Sequence, residues 1–328
     1  MLWEKVYGAL TERPGEYLSG QEISSRLGVS RAAVWKAVER LRGMGYAVEA
    51  HTGRGYRVAE RSDRLTERDV AVYFSRRREN CRVLAQVDST NSECRRLAAS
   101  GAPDGTVVIA DSQTAGRGRR GRSFLSPPGQ GLYLSVLWRP ECEPEQLLPL
   151  TALAAVAVCR AIERLSGGKT QIKWPNDLIL GGRKICGILT ELSLEGESGR
   201  VDCVVVGIGV NCRQREEDFP VELRQIAGSL DMSLQEKIPR PALAAAITEE
   251  LDELRGAVLF RPERRLEAYR QRCLCAQGAV QVIRDGESRP AQALGIDERF
   301  GLRVRYEDGT EEVLRSGEVS VRGLYGYV

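Results

Sequence analysis

The residues of this sequence best suited to chemistry lie in a short stretch from Gln113 to Phe124, which reads Q-T-A-G-R-G-R-R-G-R-S-F. It contains four arginines separated by glycines, namely Arg117, Arg119, Arg120 and Arg122 among Gly116, Gly118 and Gly121. Each guanidinium can meet a carboxylate or a phosphate through two parallel hydrogen bonds, and glycine lets the main chain approach a ligand closely. The stretch is therefore predicted to bind anions.

The position of this loop argues for a specific ligand. A solvated basic loop, or an arginine-glycine tail that binds nucleic acid, would lie in polar sequence of low complexity. Here the loop lies between two apolar runs, 106–110 and 132–138, which both predict buried strands. A loop held between core strands faces a pocket, so its charges are expected to contact a bound molecule.

A second polar group follows the strand predicted over residues 81–87. The sequence Asp88-Ser-Thr-Asn91 places small hydrogen-bonding side chains where that strand ends. Such side chains at a sheet edge are a common way to build a ligand site. Ser89 or Asn91 could equally cap the helix predicted over residues 91–100, and the sequence leaves both interpretations open.

A third group is K-W-P-N-D at residues 173–177, where a predicted strand ends at Pro175 and exposes Asn176 and Asp177. Two β-type runs flank residues 181–183, and the resulting hairpin points Lys184 at the same edge. An aspartate or asparagine beside a lysine suits a nucleotide with its magnesium, and an ion pair at a surface turn is the alternative.

Two glycine patterns resemble nucleotide-binding motifs only weakly. Residues 167–170, G-G-K-T, lack the first glycine of a phosphate-binding loop, because Glu163 stands there, and they follow a predicted helix where the motif requires a strand. Residues 207–211, G-I-G-V-N, lack the third glycine of a dinucleotide fingerprint. Neither pattern predicts a site by itself.

The N-terminal 58 residues predict a winged helix-turn-helix. A capping box at 19–22 begins one helix, Gly28 ends it, and Ser30 caps the next, while two short β-type runs flank 52–55. Between residues 29 and 58, six Lys and Arg face two Glu. We expect DNA binding, with a helical protein-interaction domain as the alternative. The expected DNA contacts are Ser30, Arg31, Lys36, Arg40 and Arg54.

The rest of the chain predicts two further domains. A polar linker at 60–64 and a helix over 66–77 lead into alternating strands and helices, including a long apolar helix over 146–165 and two amphipathic helices over 241–273. Beyond residue 276, five short strands separated by turns predict a small β-barrel. The expected domains are 1–60, 66–274 and 275–328.

The composition is that of a soluble globular protein. Of 328 residues, 42% are apolar and 28% are charged, and the net charge is only +3, so nucleic-acid binding must come from a local patch. Nine cysteines without a regular framework indicate reduced thiols, and the single histidine, His51, argues against a protein-only metal site or a histidine-based triad. With no signal or membrane-spanning pattern, a cytoplasmic location without membrane association is expected.

Taken together, the three motifs resemble those of the bacterial bifunctional biotin-protein ligases that double as biotin-operon repressors. The resemblance covers essentially the whole chain. It implies an α+β multidomain protein with an N-terminal winged helix-turn-helix, a central mixed α/β ligase domain similar to class II synthetases, and a C-terminal SH3-like β-barrel. It also implies ATP- and Mg²⁺-dependent activation of biotin to biotinoyl-adenylate, transfer of biotin to a lysine of a biotin carboxyl carrier protein, and binding of operator DNA by a ligand-promoted homodimer.

The resemblance assigns roles to individual residues. The biotin site would comprise Ser89, Thr90, Asn91, Gln113, Gly116, Arg117, Gly118, Arg119 and Lys184. The ATP site would comprise Arg119, Arg122, Phe124, Lys173, Asn176, Asp177 and Asn211, with Mg²⁺ near Asp177. The catalytic cations would be Lys184, Arg117, Arg119 and Arg122, because charge builds up in the transition state where a carboxylate meets a phosphate.

This sequence departs from the family at Phe124, where a tryptophan is usual, so stacking on the adenine is expected to be weaker or differently arranged. Two alternatives to the main interpretation remain. One is a repressor that senses biotin without ligase activity, against which Lys184 and the four loop arginines argue. The other is a lipoate or octanoate ligase of related fold.

Overall fold

The computed structural model describes residues 1–13, 15–58, 62–76, 79–196, 198–255, 261–284, 287–315 and 320–323. The chain divides into two compact units. The first comprises residues 1–78 together with 239–245, and the second comprises residues 79–238 and 246–328.

The first unit begins with three helices and a β-hairpin, as the sequence predicts. The elements are α1 (Leu2–Glu12), α2 (Gly20–Leu27), α3 (Arg31–Gly43), β1 (Val48–His51) and β2 (Gly55–Val58). Ser19 accepts a hydrogen bond from the Glu22 amide and Ser30 one from the Ala33 amide, so both serines cap their helices. Gly28 ends α2 in the left-handed conformation, with a φ of 66°. This arrangement is a winged helix-turn-helix.

The segment after the hairpin is less helical than predicted. The helix expected over 66–77 is only α4 (Glu67–Ala71), capped by Thr66, whose hydroxyl accepts from the Asp69 amide. Val72, Tyr73 and Phe74 follow, and β-branched and aromatic residues have low helix propensity. Residues 60 and 61 of the predicted linker and residue 77 of the predicted helix lie outside the described part of the chain.

The second unit is built on a seven-stranded mixed sheet. Its strands are β3 (Cys81–Leu84), β4 (Thr106–Ala110), β5 (Gly131–Trp138), β6 (Gln171–Lys173), β7 (Asp177–Leu180), β8 (Arg183–Leu194) and β9 (Val201–Asn211). They lie in the order β3-β4-β5-β9-β8-β7-β6. Only the β3–β4 pair is parallel among these described strands. Every residue of β4 and β5 is buried, so the loop that is predicted to bind anions does connect two core strands.

The second unit contains the predicted helices and one short helix, α7, that the sequence did not predict. They are α5 (Thr90–Ala99), α6 (Leu150–Ser166), α7 (Leu230–Ser233), α8 (Arg240–Glu253), which begins in the first unit, and α9 (Glu263–Arg272). The prediction that α8 is amphipathic is wrong: residues 241–248 are all buried. Residues 241–248 read P-A-L-A-A-A-I-T, and a helix that is apolar all round is a buried one.

The apolar helix α6 is a core element. It begins four residues later than predicted, because a short 3₁₀ turn (Pro144–Leu147) and Pro149 precede it. The segment Pro144–Ser166 is long and apolar enough to cross a membrane. However, 72% of its most apolar 18-residue stretch is buried inside the protein. Gly167 ends the helix with a φ of 69°. The G-K-T sequence at 168–170, which resembles a phosphate loop, therefore follows the C-terminus of a helix.

The C-terminal part of the second unit is an antiparallel sheet. Its five strands are β10 (Gly278–Arg284), β11 (Glu287–Ile296), β12 (Leu302–Tyr306), β13 (Glu311–Leu314) and β14 (Ser320–Gly323), in the order β13-β12-β11-β10-β14. The predicted turns at 285–286 and 316–317 lie outside the described residues. The Trp174 indole donates to the Phe300 carbonyl oxygen at 3.0 Å, which fixes the K-W-P-N-D segment against this sheet.

Candidate functional site

The three predicted motifs meet in one open cavity of the second unit. The cavity has a volume of about 1090 Å³, including the part that is open to solvent. Of the predicted site residues, it is lined by Ser89, Thr90, Asn91, Gln113, Arg117, Gly118, Arg119, Arg122, Phe124, Lys173, Asn176 and Lys184. Residues more than 90 positions apart in sequence therefore face the same space.

The floor of the cavity is a patch of glycines that no single motif revealed. Gly187 of β8 pairs directly with Gly209 of β9, and Gly207 lies two residues before Gly209. A Cβ atom at Gly207 would lie 2.0 Å from the Asn91 amide oxygen, and one at Gly209 would lie 2.6 Å from the Phe124 ring. The pattern G-I-G at 207–209 thus alternates glycines onto one face of the sheet, where a ligand or an opposing side chain lies close to the backbone.

The arginine-glycine loop folds into a small hairpin beside this floor. The Gly118 amide donates to the Arg122 carbonyl oxygen at 2.7 Å, and the Phe124 amide donates to the Gly116 carbonyl oxygen at 2.9 Å. The turn is completed by Arg120 and Gly121, which both adopt the left-handed conformation with φ values of 57° and 72°. Gly116 does not line the cavity. A Cβ atom at this position would lie 2.3 Å from the Phe124 carbonyl oxygen, so the hairpin has no room for a side chain there.

Arg119 is the loop cation placed deepest in the site. Its Nη1 donates to the Asn176 Oδ1 at 2.8 Å, whereas its buried Nη2 has no hydrogen-bond partner among the described residues. Burial lowers the pKa of Arg119, although a guanidinium stays protonated at neutral pH. A buried donor on a charged group is costly when unpaired, so Arg119 presents a strong binding position for an anionic oxygen.

The other two predicted loop cations are more exposed. Arg117 pairs with Glu191 of β8, with 3.0 Å between its Nη2 and the carboxylate Oε1. Glu191 also accepts from the Asn91 side chain at 2.8 Å. Sequence reasoning missed Glu191, since nothing in its own neighbourhood marks it. Arg122 lines the cavity from an exposed position.

Lys184 and the K-W-P-N-D segment form a second charged group. The Lys184 Nζ lies 2.7 Å from the Asp177 Oδ1, and the Asn176 Nδ2 donates to the Ile188 carbonyl oxygen at 3.0 Å. Asn176 and Asp177 are half-buried, not exposed as predicted, because Asp177 pairs with Gly187 of β8 and Asn176 is hydrogen-bonded to the β8 backbone. Lys173 is almost fully buried, at 4% exposure.

Small polar side chains form another part of the cavity wall, which we call its polar end. Gln113 accepts from the Thr90 amide at 2.9 Å and donates to the Ser126 Oγ at 2.9 Å. Ser135 on β5, another residue that the sequence did not reveal, has its Oγ 2.6 Å from the Asn91 Oδ1. Ser89 occupies the cap position of α5 but makes no capping bond with its side chain, so the ligand-site interpretation is favoured over the cap.

An ion pair outside the cavity holds this end in place. Asp88 accepts two hydrogen bonds from the Arg96 guanidinium, at 2.6 and 2.9 Å, and one from the Ser89 amide at 2.7 Å. These contacts, chiefly those with Arg96, lower the pKa of Asp88 to about 2. Asp88 therefore keeps its charge well into the acid range, and its contacts fix the start of α5.

Asn211 is one of three predicted site residues that do not line the cavity, with Gly116 and Asp177. Its Nδ2 donates to the Gly228 carbonyl oxygen at 2.9 Å and its Oδ1 accepts from Gln214 at 3.3 Å, and it does not line the cavity. These contacts hold the segment after β9. Asp177 likewise does not line the cavity itself and reaches the site through Lys184.

The described residues contain no cluster of three or more His, Cys, Asp or Glu that could hold a metal. The Asp177 carboxylate and the Asn176 amide oxygen are nevertheless suitable single ligands for a hard cation that arrives with a phosphate. These donors fit a substrate-borne magnesium ion better than a resident metal.

The first unit carries a separate candidate interface for nucleic acid. Arg31, Lys36 and Arg40 are exposed on α3, and Arg54 is exposed in the turn of the wing, 4.7 Å from the centre of the Tyr17 ring. Ser30 is exposed too, although its hydroxyl already caps α3. The helix and the wing thus present the predicted cations to solvent.

Chemically, the cavity combines a polar end, a glycine floor and a ring of cations. A molecule with an amide-like head and a carboxylate could bind at the polar end with its carboxylate near Arg119 and Lys184. Those cations could hold a phosphate beside that carboxylate and so overcome the repulsion between the two anions. The geometry suits acyl-phosphate chemistry.

Known proteins share both units of this architecture. The biotin/lipoate A/B protein ligase family matches residues 83–211, and an HTH domain matches residues 3–57. The bifunctional ligase/repressor BirA of Bacillus subtilis is 44% identical over 69% of each chain, and that of Escherichia coli is 31% identical over 94% of each chain. The structure of the biotin protein ligase from Aquifex aeolicus in complex with biotin and ATP covers 75% of this chain and 99% of its own, with a TM-score of 0.63 and 29% identity.

Proposed function

The chain belongs to the family of bifunctional biotin ligases and repressors, and on that premise we propose that it activates biotin with ATP and transfers it to a lysine of a biotin carboxyl carrier protein. The observation that carries this proposal is the convergence of Arg119, Lys184 and the polar group around Thr90 on one cavity. The same chain acts as a repressor through its helix-turn-helix unit.

In the first step, a carboxylate oxygen of biotin attacks the α-phosphorus of ATP and pyrophosphate leaves. Negative charge accumulates on the oxygens between the carboxylate and the α-phosphate. Arg119, with its unpaired Nη2, and Lys184, held by Asp177, are in place to stabilise that charge, and Arg122 lies at the mouth of the cavity for the departing phosphates. Fixed cations in a partly buried site stabilise a transition state without reorganisation.

The second step transfers the acyl group. The ε-amine of the carrier lysine attacks the acyl carbon of the adenylate, an amide bond forms and AMP leaves. Until the carrier arrives, the adenylate must be kept from water. The loop hairpin of residues 116–124 covers one side of the cavity, and its glycines allow it to open and close.

The two substrates are expected to occupy opposite ends of the cavity. Ser89, Thr90 and Asn91 would contact the ureido head of biotin, with Gln113 holding Thr90 in position. The nucleotide would lie along the glycine floor beside Phe124. A magnesium ion, when bound with ATP near Asp177 and Asn176, would neutralise phosphate charge.

The discriminating experiment is transfer of biotin to a carrier domain. The purified protein is incubated with the carrier, ATP and biotin, lipoate or octanoate in turn, and carrier mass is measured. Of the three acids, we expect only biotin to increase the mass of the carrier. An increase only with lipoate or octanoate would identify a ligase of the related type, and binding of biotin without any labelling would identify a sensor without ligase activity.

Phe124 provides a test of the nucleotide end. The Phe124→Trp variant is expected to bind ATP tighter by about 0.5 to 1 kcal/mol, because the larger ring offers more stacking surface. Isothermal calorimetry measures the change. As a counterpart, Gly209→Ala should weaken ATP binding, since its Cβ atom would displace the Phe124 ring. Unchanged ATP affinity in both variants would show that residue 124 does not face the adenine.

For the repressor, we propose that biotinoyl-adenylate promotes a homodimer that binds operator DNA. A single winged helix contacts too few bases for an operator, and a two-fold dimer places two recognition helices on palindromic half-sites. Ordering of the loop around the adenylate would complete the dimer surface and so couple ligand to DNA. A cytoplasmic location follows from these roles and agrees with the nine free cysteines.

This coupling predicts that biotin with ATP increases both dimer mass in sedimentation and operator occupancy in footprinting, whereas biotin alone has a much smaller effect. Contacts of Arg31, Lys36 and Arg54 with phosphates should make the binding weaken with salt. If the adenylate changes neither dimerisation nor occupancy, the repressor half of the proposal is wrong even when carrier labelling succeeds.

A further inference from the structure

Trp35 is an exposed aromatic residue in the middle of the candidate DNA-reading helix. Its relative exposure is 54%, whereas Trp3, Trp138 and Trp174 are at most 2% exposed. Tryptophan is the largest apolar side chain, and leaving it in solvent forgoes the stabilisation that its burial would contribute. No requirement of the helix-turn-helix core explains the position, because the core side of α3 is formed by Val34, Ala37, Val38 and Leu41.

The surroundings of Trp35 indicate what covers it. Arg31 and Glu39 lie one turn away on the same helix face, and Lys36 and Ala32 lie beside it, all of them exposed. Glu39 is engaged by Arg42, with 2.9 Å between the Arg42 Nη1 and the Glu39 Oε1, which offsets its charge. The face around Trp35 is therefore cationic, and its complement is a polyanion.

The place of Trp35 along α3 also matters. The helix begins at Arg31, so Trp35 lies in its second turn, within the N-terminal half that contacts base edges when such a helix enters the major groove. The C5-methyl group of thymine is the apolar group that base edges present in that groove, and apolar side chains contact it.

We propose that Trp35 is a specificity-determining residue that packs its indole against a thymine methyl group in each operator half-site. The proposal rests on the repressor function proposed above and assigns to Trp35 a role different from that of the flanking cations. Arg31, Lys36 and Arg54 would position the helix through phosphates, and Trp35 would select the base.

The test begins with the full-length protein, biotin and ATP. Binding sites are selected from random duplexes, and each thymine of the selected half-site is then replaced singly by deoxyuridine, which lacks only the methyl group. For the wild type, one replacement per half-site should weaken binding roughly fourfold, the factor expected for loss of one buried methyl group. For Trp35→Ala, the same replacement should have no effect.

Trp35→Ala itself should bind the selected site roughly tenfold to a hundredfold more weakly, as for loss of one base-pair contact. Its affinity for unrelated duplex should be nearly unchanged. Arg54→Ala is the matched control, because loss of a phosphate contact weakens both kinds of duplex alike and leaves the deoxyuridine effect intact. Unchanged binding of unrelated duplex shows that the helix-turn-helix unit of Trp35→Ala is folded, and carrier labelling at the wild-type rate shows the same for the second unit.

A second measurement uses the wild type alone. Acrylamide should quench the one exposed tryptophan in free protein, and the selected duplex should remove that quenching while unrelated duplex leaves most of it. The inference is overturned if Trp35 stays accessible in the specific complex, if the deoxyuridine effect is the same in both proteins, or if Trp35 is already shielded in free protein by self-association. If the wild type selects no sequence at all, the repressor proposal fails as well; if it selects a site that Trp35→Ala reads equally, only this inference fails.

Discussion

Replacing Lys184 by alanine is expected to slow the formation of biotinoyl-adenylate about a hundredfold, because loss of one transition-state cation costs about 3 kcal/mol. The structure gives a second reason for a large effect. The Lys184 Nζ lies 2.7 Å from the Asp177 carboxylate, so its removal leaves a half-buried negative charge next to the expected phosphate position. Pyrophosphate release in a single turnover measures the rate. Carrier labelling at the full rate would remove Lys184 from the mechanism.

Paired variants separate the two contributions. In Lys184→Ala combined with Asp177→Asn, the carboxylate that faces Lys184 is also absent, so part of the lost rate should return if repulsion between that carboxylate and the phosphate contributes. Lys184→Met keeps the length of the side chain and tests for a merely structural role. Since Lys184 is 26% exposed and lies at a hairpin, all three proteins should unfold at temperatures within a few degrees of the wild type.

Replacing Arg119 by alanine should produce the second large effect, a loss on the order of 3 kcal/mol in the formation or retention of the adenylate. Arg119 is the loop cation whose Nη2 is buried without a partner, and its Nη1 is held by Asn176 at 2.8 Å. The amount of adenylate bound after gel filtration, compared with the amount formed, separates retention from formation. If both match the wild type, the unpaired donor does not serve the ligand.

The matched variant here is Arg119→Lys. Lysine keeps the charge but cannot donate to Asn176 and the ligand in a fixed fork, so an intermediate activity is expected when geometry matters as well as charge. Asn176→Ala provides an independent check, because it frees the Nη1 while leaving the guanidinium in place. A deficit in Arg119→Lys equal to that in Arg119→Ala would show that the fork, and not the charge, is what the site uses.

Local sequence signals determined the helix-turn-helix. Ser19, Gly28 and Ser30 make capping hydrogen bonds with residues three or four positions away. The helix boundaries that they predict therefore do not depend on distant residues. The same holds for the β7–β8 hairpin, where Gly181 and Gly182 supply the left-handed conformations that the turn needs. A dense group of arginines among glycines between apolar runs likewise predicted a loop at one cavity, and the structure places that loop there.

Tertiary structure decided what those segments contact. Three features depend on strand register and on chain segments far apart in sequence. They are the pairing of Gly187 with Gly209, the ion pair of Arg117 with Glu191, and the hydrogen bond from Asn211 to Gly228. The burial of α8 was also hidden, because helical periodicity describes one helix and not what surrounds it. Capping and turn conformations are set by interactions within a few residues, whereas a cavity wall is set by which distant backbones lie side by side.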